Sequence, residues 1–242
     1  MTAPAAPRFL ACGDSAVTIE FGDGIDPAVN ARVLALDAAL TAAAIPGLVE
    51  TVPTYRSLMV QFDPLALVYG AFVDTASRLS ANLDSTVAHA RRWRVPVVYG
   101  DAFGVDLEEV AARHQMTTAD VIRRHSSAIY RVYMIGFMPG YTYLGGLDPA
   151  LSTPRRLDPR PTTPSGTISI GGIQALIAAQ SMPSGWHLLG RTPVRAFMAG
   201  RAVPFLFAPG DEVTFEAVLA DRWDGLDARA AAGEPVAELI GP

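Results

Sequence analysis

The feature that most restricts the fold is a change of hydrophobic period partway along the chain. From Arg131 onward the helical signal fades. Short apolar stretches then alternate with Gly- and Pro-rich turns: Arg131 to Met138, Thr167 to Ile170, Trp186 to Leu189 and Val213 to Phe215. Many short strands separated by such turns predict a β-barrel or sandwich. Before about Arg91 the pattern differs. Val17 to Phe21 alternates like a half-buried strand. Asp26-Pro27 supplies a helix cap and a first-turn proline, Val29, Val33, Leu36 and Leu40 follow at helical spacing, and Pro46-Gly47 ends the helix. Leu58 to Phe62 reads as a second strand. Asp63-Pro64 opens a second helix whose buried side carries Val68, Phe72, Leu79 and Leu83. That order predicts a small α/β sandwich.

Between these regions Arg94 to Tyr99 reads as a strand and Gly100 to Gly104 as a turn. Asp106-Leu107-Glu108-Glu109 resembles a capping box opening a short helix, and Thr117 or Thr118 caps a second one running to about His125. There is no internal repeat. The first few residues, rich in Ala and Pro, read as disordered.

Composition removes whole classes of function. Hydrophobic residues make up 50% of the chain and charged ones 18%, which excludes disorder along its length. The formal net charge of -5 argues against nucleic acid and acidic membrane surfaces, since both need a basic partner. All 19 basic residues are Arg. No Schiff base or phosphate-loop lysine can therefore form, and biotin cannot be attached here. Arg still allows planar recognition of carboxylate or phosphate. The single Cys12 excludes an internal disulfide and any multi-cysteine metal site. Arg8 interrupts what would be the apolar part of a signal before Cys12, and no stretch is long enough to span a bilayer. The expectation is a cytoplasmic protein with no membrane partner.

The segments able to carry chemistry lie between His125 and Thr192. In Gly136-Phe137-Met138-Pro139-Gly140-Tyr141 the Pro-Gly pair predicts a type II turn that fixes Phe137, Tyr141 and Tyr143. The segment from Thr153 to Pro161 carries Arg155, Arg156 and Arg160 between prolines that keep it extended. Such a stiff loop loses little entropy on binding, so it is either an anion clamp or a solvated loop whose arginines pair with local acids. Pro164-Ser165-Gly166, Gly171-Gly172-Ile173-Gln174 and Gly190-Arg191-Thr192-Pro193 bring backbone and small polar groups to turns. The four histidines, His89, His114, His125 and His187, show no metal-ligand spacing, and no metal site is expected. A GxSxG elbow and a phosphate loop are both absent.

The ordered set Gly136 to Leu144, Pro154-Arg155-Arg156, Pro159-Arg160, Pro164-Ser165-Gly166 and Gly185 to Pro193 resembles one family. It contains the B subunit of 5-oxoprolinase, the first subunit of allophanate hydrolase, the matching part of urea carboxylase, and the KipI inhibitor of a histidine kinase. Gly13-Asp14, Tyr55-Arg56-Ser57-Leu58 and Asp63-Pro64 fit its N-terminal part. The resemblance implies an α+β chain: a ferredoxin-like domain over 1–90, then a cyclophilin-like β-barrel domain over 91–242. It implies catalytic roles for His125, Arg160 and Arg191. Substrate-binding roles fall to Phe137, Tyr143, Arg155, Ser165, Ser169, Gln174, Trp186 and Thr192. It further implies ATP with Mg in an assembled complex, a second-subunit partner (the C subunit of an oxoprolinase, or allophanate hydrolase subunit 2-like), a further LamB/YcsF-like component, and a small amide substrate. The chain would be inactive alone. One departure stands out: many relatives continue Gln-Thr-Gly-Ile-Tyr-Pro where this chain has Gln174 to Ala179, which leaves the substrate open. One component of an amide or lactam hydrolase is the leading reading, with a carboxyltransferase component or a kinase inhibitor as alternatives.

Overall fold

The computed structural model describes residues 6–83 and 90–241. The Ala- and Pro-rich opening residues 1–5 and His89 lie outside the described residues. The chain divides into two compact units, Met1–Ala88 and His89–Pro242.

In the first unit, four strands form one sheet: β1 (Arg8–Ala11), β2 (Ala16–Glu20), β3 (Leu48–Pro53) and β4 (Ser57–Phe62). Two helices accompany them, α1 (Pro27–Ala43) and α2 (Tyr69–Ala81). The sheet order is β1-β2-β4-β3, with every pair antiparallel. Asp26 caps α1 as its sequence suggests, accepting from the N–H groups of Ala28 at 2.6 Å and Val29 at 3.3 Å. The α1 stripe then buries Val33, Leu36 and Leu40 in one cluster with Val17, Ile19, Leu58 and Val60. The second helix begins later than the Asp63-Pro64 signal implies. The Asp63 carboxylate accepts from Leu65 N–H at 2.9 Å and its carbonyl from Leu67 N–H, which closes a turn instead. Val68 becomes the N-cap and is exposed, while Phe72 and Ala76 supply the buried side. The element order is ββαββα, so the strand beside β2 comes from the N-terminus. In a βαββαβ unit that place belongs to a strand after the second helix.

The second unit is a closed barrel. Its strands, in chain order, are β5 (Arg92–Tyr99), β6 (Tyr130–Ile135), β7 (Thr142–Gly145), β9 (Thr167–Gly171), β10 (Gln174–Ile177), β12 (His187–Arg191) and β13 (Glu212–Ala217). The order β12-β9-β10-β7-β6-β13-β5 closes where β12 pairs with β5 at Gly190–Tyr99 and Arg191–Val98. Only β13 and β5 run parallel among these pairs. Closure leaves no unpaired barrel edge. β14 (Glu238–Gly241) adds to the first half of β5, and β8 (Arg160–Thr163) with β11 (Met182–Ser184) forms a separate two-stranded ribbon.

Val95, Val97, Val132, Leu144, Ile168, Ile170, Ala175, Ile177 and Leu189 fill the barrel, as expected for a barrel of this size. Helices α3 (Leu107–Arg113) and α4 (Thr118–Ser127) add Leu107, Val110 and Val121 to that core. Thr117 caps α4 in a reciprocal capping box with Asp120. A last helix, α5 (Trp223–Ala231), follows β13. The architecture is thus α+β with a barrel. Among the described residues no helix is long and apolar enough to cross a membrane.

Candidate functional site

Strand register builds the site. Tyr143 on β7 is level with Leu176 on β10, which is level with Ser169 on β9. Their neighbours Leu144, Ala175, Ile177, Ile168 and Ile170 point into the barrel core. Alternation therefore turns Tyr143, Leu176 and Ser169 to the outer face. There a second apolar cluster forms from Tyr141, Leu176, Ala178, Met182 and Trp186, with Met138 and Tyr143 packed against it. Ring centroids are 5.0 Å apart for Tyr141–Tyr143, 6.2 Å for Tyr143–Trp186 and 5.5 Å for Phe137–Tyr141. Trp186 lies on Gly171, where a Cβ would come within 2.7 Å of its ring.

The Met138 to Tyr141 turn orients these aromatics. Tyr141 N–H donates to the Met138 carbonyl at 3.0 Å, and Gly140 has φ +75°, the type II geometry that the Pro-Gly pair predicts. Phe137 also takes a left-handed backbone, φ +70°, and is 72% exposed. A bulky residue held in that region stores strain and singles out the turn. Burial pushes the Tyr141 and Tyr143 phenols above the ordinary range, against the opposing pull of the Arg155 charge, so both stay protonated. The Arg155 guanidinium stands 5.5 Å from the Trp186 ring centroid. Ser169 Oγ is buried and has no hydrogen-bond partner among the described residues.

The other two arginines of the proline-rich segment are occupied. Arg160 donates to both oxygens of Asp106, at 2.8 and 2.5 Å. Arg156 donates to Asp106 at 3.3 Å and to Glu109 at 3.2 Å. Leu188 N–H adds a fourth bond to Asp106, at 2.8 Å. This corrects the capping-box expectation at α3: Asp106 stands at the N-cap position but makes no side-chain cap bond, because its carboxylate serves the arginines. Asp106, Glu109 and His187 bring possible ligand atoms within 4.8 Å of one another. Both Asp106 oxygens already carry two donors each and two guanidiniums balance the carboxylates, so the cluster does not fit Mg²⁺, which needs free oxygen ligands. His187 faces the Pro154 carbonyl through Nε2 at 3.0 Å.

A third group collects Arg191, Ser165 and Thr192. Arg191 donates twice to the Ser165 carbonyl, at 3.2 and 3.1 Å, and lies 4.8 Å from the Trp223 ring centroid. Thr192 is buried and its N–H donates to the Gly166 carbonyl at 2.8 Å. These contacts lock the Pro164 to Gly166 turn against β12.

His125 lies elsewhere again, fully buried and stacked on Phe215 at 4.8 Å. Its Nδ1 is 2.8 Å from the Tyr99 hydroxyl, and burial lowers its pKa to about 3, so it is neutral. Gln174 opens β10 opposite Gly171.

Of the residues singled out from sequence, the contacts therefore unite Phe137, Tyr143, Arg155 and Trp186, with Ser169 on the same face. His125, Arg160 and the Arg191 group have other partners. Sequence reasoning passes over Asp106, Glu109 and His187 as site residues, and reaches Arg156 and Tyr141 only as members of their segments. Tyr141 is within reach as part of the turn motif. Asp106 is hidden by its resemblance to a helix cap.

The closed barrel with this outer aromatic cluster is of the carboxyltransferase-domain type. The chain belongs to that family: the model described as "Carboxyltransferase domain, subdomain C and D" matches residues 7–207. Within it the chain is similar to the 5-oxoprolinase B subunit of Bacillus subtilis (strain 168), at 36% identity over 214 residues, covering 84% of this chain and 89% of that protein. Among solved structures, TTHA0988 matches with a TM-score of 0.77 at 36% identity over 85% of this chain. The chain spans only 40% of TTHA0988. The Kluyveromyces lactis urea amidolyase shares the fold alone, with a TM-score of 0.82 at 18% identity, over 98% of this chain and 16% of that one.

Proposed function

We propose that this chain is the B subunit of an ATP-dependent 5-oxoprolinase-type complex that opens the lactam of 5-oxoproline to glutamate. The observation that carries the reading is the 36% identity with a 5-oxoprolinase B subunit over most of both chains. The outer aromatic cluster is compatible with it. The exposed Phe137 and the partly exposed Tyr143 offer an aromatic surface to a small flat ring, the protonated Tyr143 phenol is a hydrogen-bond donor, and Arg155 adds a positive charge. The net reaction consumes one ATP and two waters and yields glutamate, ADP and phosphate. ATP supplies the energy when it activates the lactam oxygen. Neither a phosphate-binding lysine nor a free carboxylate cluster is found among the described residues, so we assign ATP and Mg²⁺ to the assembled complex and derive no step through them.

The match to part of the longer TTHA0988 chain supports the idea that further polypeptide completes the site. On this reading a second-subunit partner, similar to allophanate hydrolase subunit 2, and a third, LamB/YcsF-like component supply it. The chain is then inactive alone, and the complex is cytoplasmic. We read the first unit as ferredoxin-like with its last strand supplied from the N-terminus, and the barrel as cyclophilin-like. The test is to co-purify the chain with its second-subunit partner, add the third component, and assay ATP-dependent glutamate release. Release that requires this chain supports the proposal. A stable complex without release shifts the reading to another amide or to carboxyl transfer, and no complex at all favours a regulatory protein.

A further inference from the structure

We infer that Arg155, alone among the arginines of the proline-rich segment, recognises a carboxylate on a ligand held at the outer aromatic cluster. The inference rests on the reading that this face takes the small lactam. It begins from how charge is allocated. Arg156 and Arg160 are neutralised by Asp106 and Glu109, whereas Arg155 has no carboxylate partner among the described residues. Binding a ligand anion at Arg156 or Arg160 would require breaking a buried ion pair, a costly exchange. At Arg155 nothing has to be broken. Its guanidinium carbon lies over the Trp186 ring, 5.5 Å from the centroid, and a guanidinium carries in-plane N–H groups suited to a bidentate bond.

The backbone on both sides of Arg155 is fixed beside the aromatic cluster. Thr153 exchanges two hydrogen bonds with Gly172, at 3.2 and 2.6 Å, and Arg156 N–H donates to the Gly185 carbonyl at 2.8 Å, next to Trp186. The Pro154 carbonyl faces His187 Nε2 at 3.0 Å. The backbone at Arg155 is therefore held in place before a ligand arrives, which lowers part of the entropy lost on binding. Its charge reaches both Tyr141 and Tyr143. On the outer face, level with Tyr143 and Leu176, the buried Ser169 Oγ lacks a partner among the described residues, an unsatisfied polar atom that a neutral amide reaching it would satisfy. The fitting ligand has a flat neutral amide for the aromatic wall and a carboxylate for Arg155. 5-Oxoproline has both, and 2-pyrrolidone is the same lactam without the carboxylate.

The experiment measures binding of these two compounds to the assembled complex by calorimetry, for the native chain, Arg155→Gln and Arg155→Lys. Arg155 is exposed, so both variants are expected to fold, and thermal melts check this. The expected result is a loss of at least about tenfold in 5-oxoproline affinity for Arg155→Gln, the size of one charge-assisted pair. 2-Pyrrolidone affinity should change by less than about twofold, and Arg155→Lys should recover part of the loss because it keeps the charge. Equal weakening of both compounds, unchanged 5-oxoproline binding, or no binding of 5-oxoproline by the native complex overturns the inference. Glutamate release measured in parallel separates it from the functional reading. Arg155-dependent binding without release sinks that reading and leaves the inference standing, while release with an unchanged KM in Arg155→Gln does the reverse.

Discussion

Replacing Asp106 by Ala should destabilise the barrel unit by about 3 kcal/mol, the balance of three effects. Removing one partner of a buried ion pair costs about 3–5 kcal/mol when the remaining charge is left without water. Here the Arg160 and Arg156 side chains are 26% and 25% exposed, so rotation toward solvent recovers part of that cost. The Leu188 N–H, which loses its acceptor, adds about 1 kcal/mol or more. For a unit of this size the total corresponds to a fall of about 6–12 °C in Tm. The assay is convenient, because the chain's three tryptophans, Trp93, Trp186 and Trp223, all lie in this unit, so their fluorescence reports its unfolding alone. Asp106→Asn keeps an acceptor oxygen and should lose about half as much. A double-mutant cycle with Arg160→Met should give a coupling of about 2 kcal/mol. A loss below about 1 kcal/mol, or additive effects in the cycle, would refute the claim that Asp106 organises the loop.

Three further outcomes follow from the same contacts. His125 has a folded pKa of about 3, against about 6.5 in the unfolded chain. The unfolded chain then takes up a proton that the folded one excludes, so stability falls as pH drops from about 6.5 toward 3, by up to about 1.4 kcal/mol per unit. His125→Gln should reduce that slope relative to the native chain in parallel urea titrations, and identical slopes would contradict the buried neutral imidazole. Gly140→Ala must accept φ +75° and place a Cβ 2.5 Å from that of Phe197. It should cost about 3 kcal/mol, and a Tm within about 2 °C of native would show that the turn relaxes freely. Asp26→Ala removes the α1 cap and should cost about 1 kcal/mol, read from helical circular dichroism during urea unfolding.

Where local chemistry decides structure, the chain is legible. Asp26-Pro27 opens α1, Thr117 caps α4, and Pro139-Gly140 makes a type II turn, each through groups within four residues of one another. The elements that the sequence pattern does not reveal, β1, β3, β7, β8, β10, β11, β14 and α5, lack such signals. β3 is largely solvent-facing, with Val49 65% exposed, and exists through its pairing with β4. α5 carries Gly225 in its interior and buries only Leu226 and Ala230. The Asp63-Pro64 signal is real but selects a turn, since a proline after an acidic residue suits both structures.

The site divides along the same line. The aromatic wall can be read from a motif, because a turn and two strand registers suffice to assemble it. The assignment of the arginines cannot. Every cation in the chain is a guanidinium, so residue type does not distinguish a binding arginine from a structural one. What distinguishes them is the nearest carboxylate, and Asp106 is 54 residues from Arg160 in sequence. Adjacent arginines at 155 and 156 thereby differ: one stands over Trp186 with no acidic partner among the described residues, the other is neutralised in an ion-pair network. That difference is created by folding, through the requirement that a buried Asp106 be fully satisfied. The acid that removes two guanidiniums from the surface is what leaves a single positive charge beside the aromatic wall.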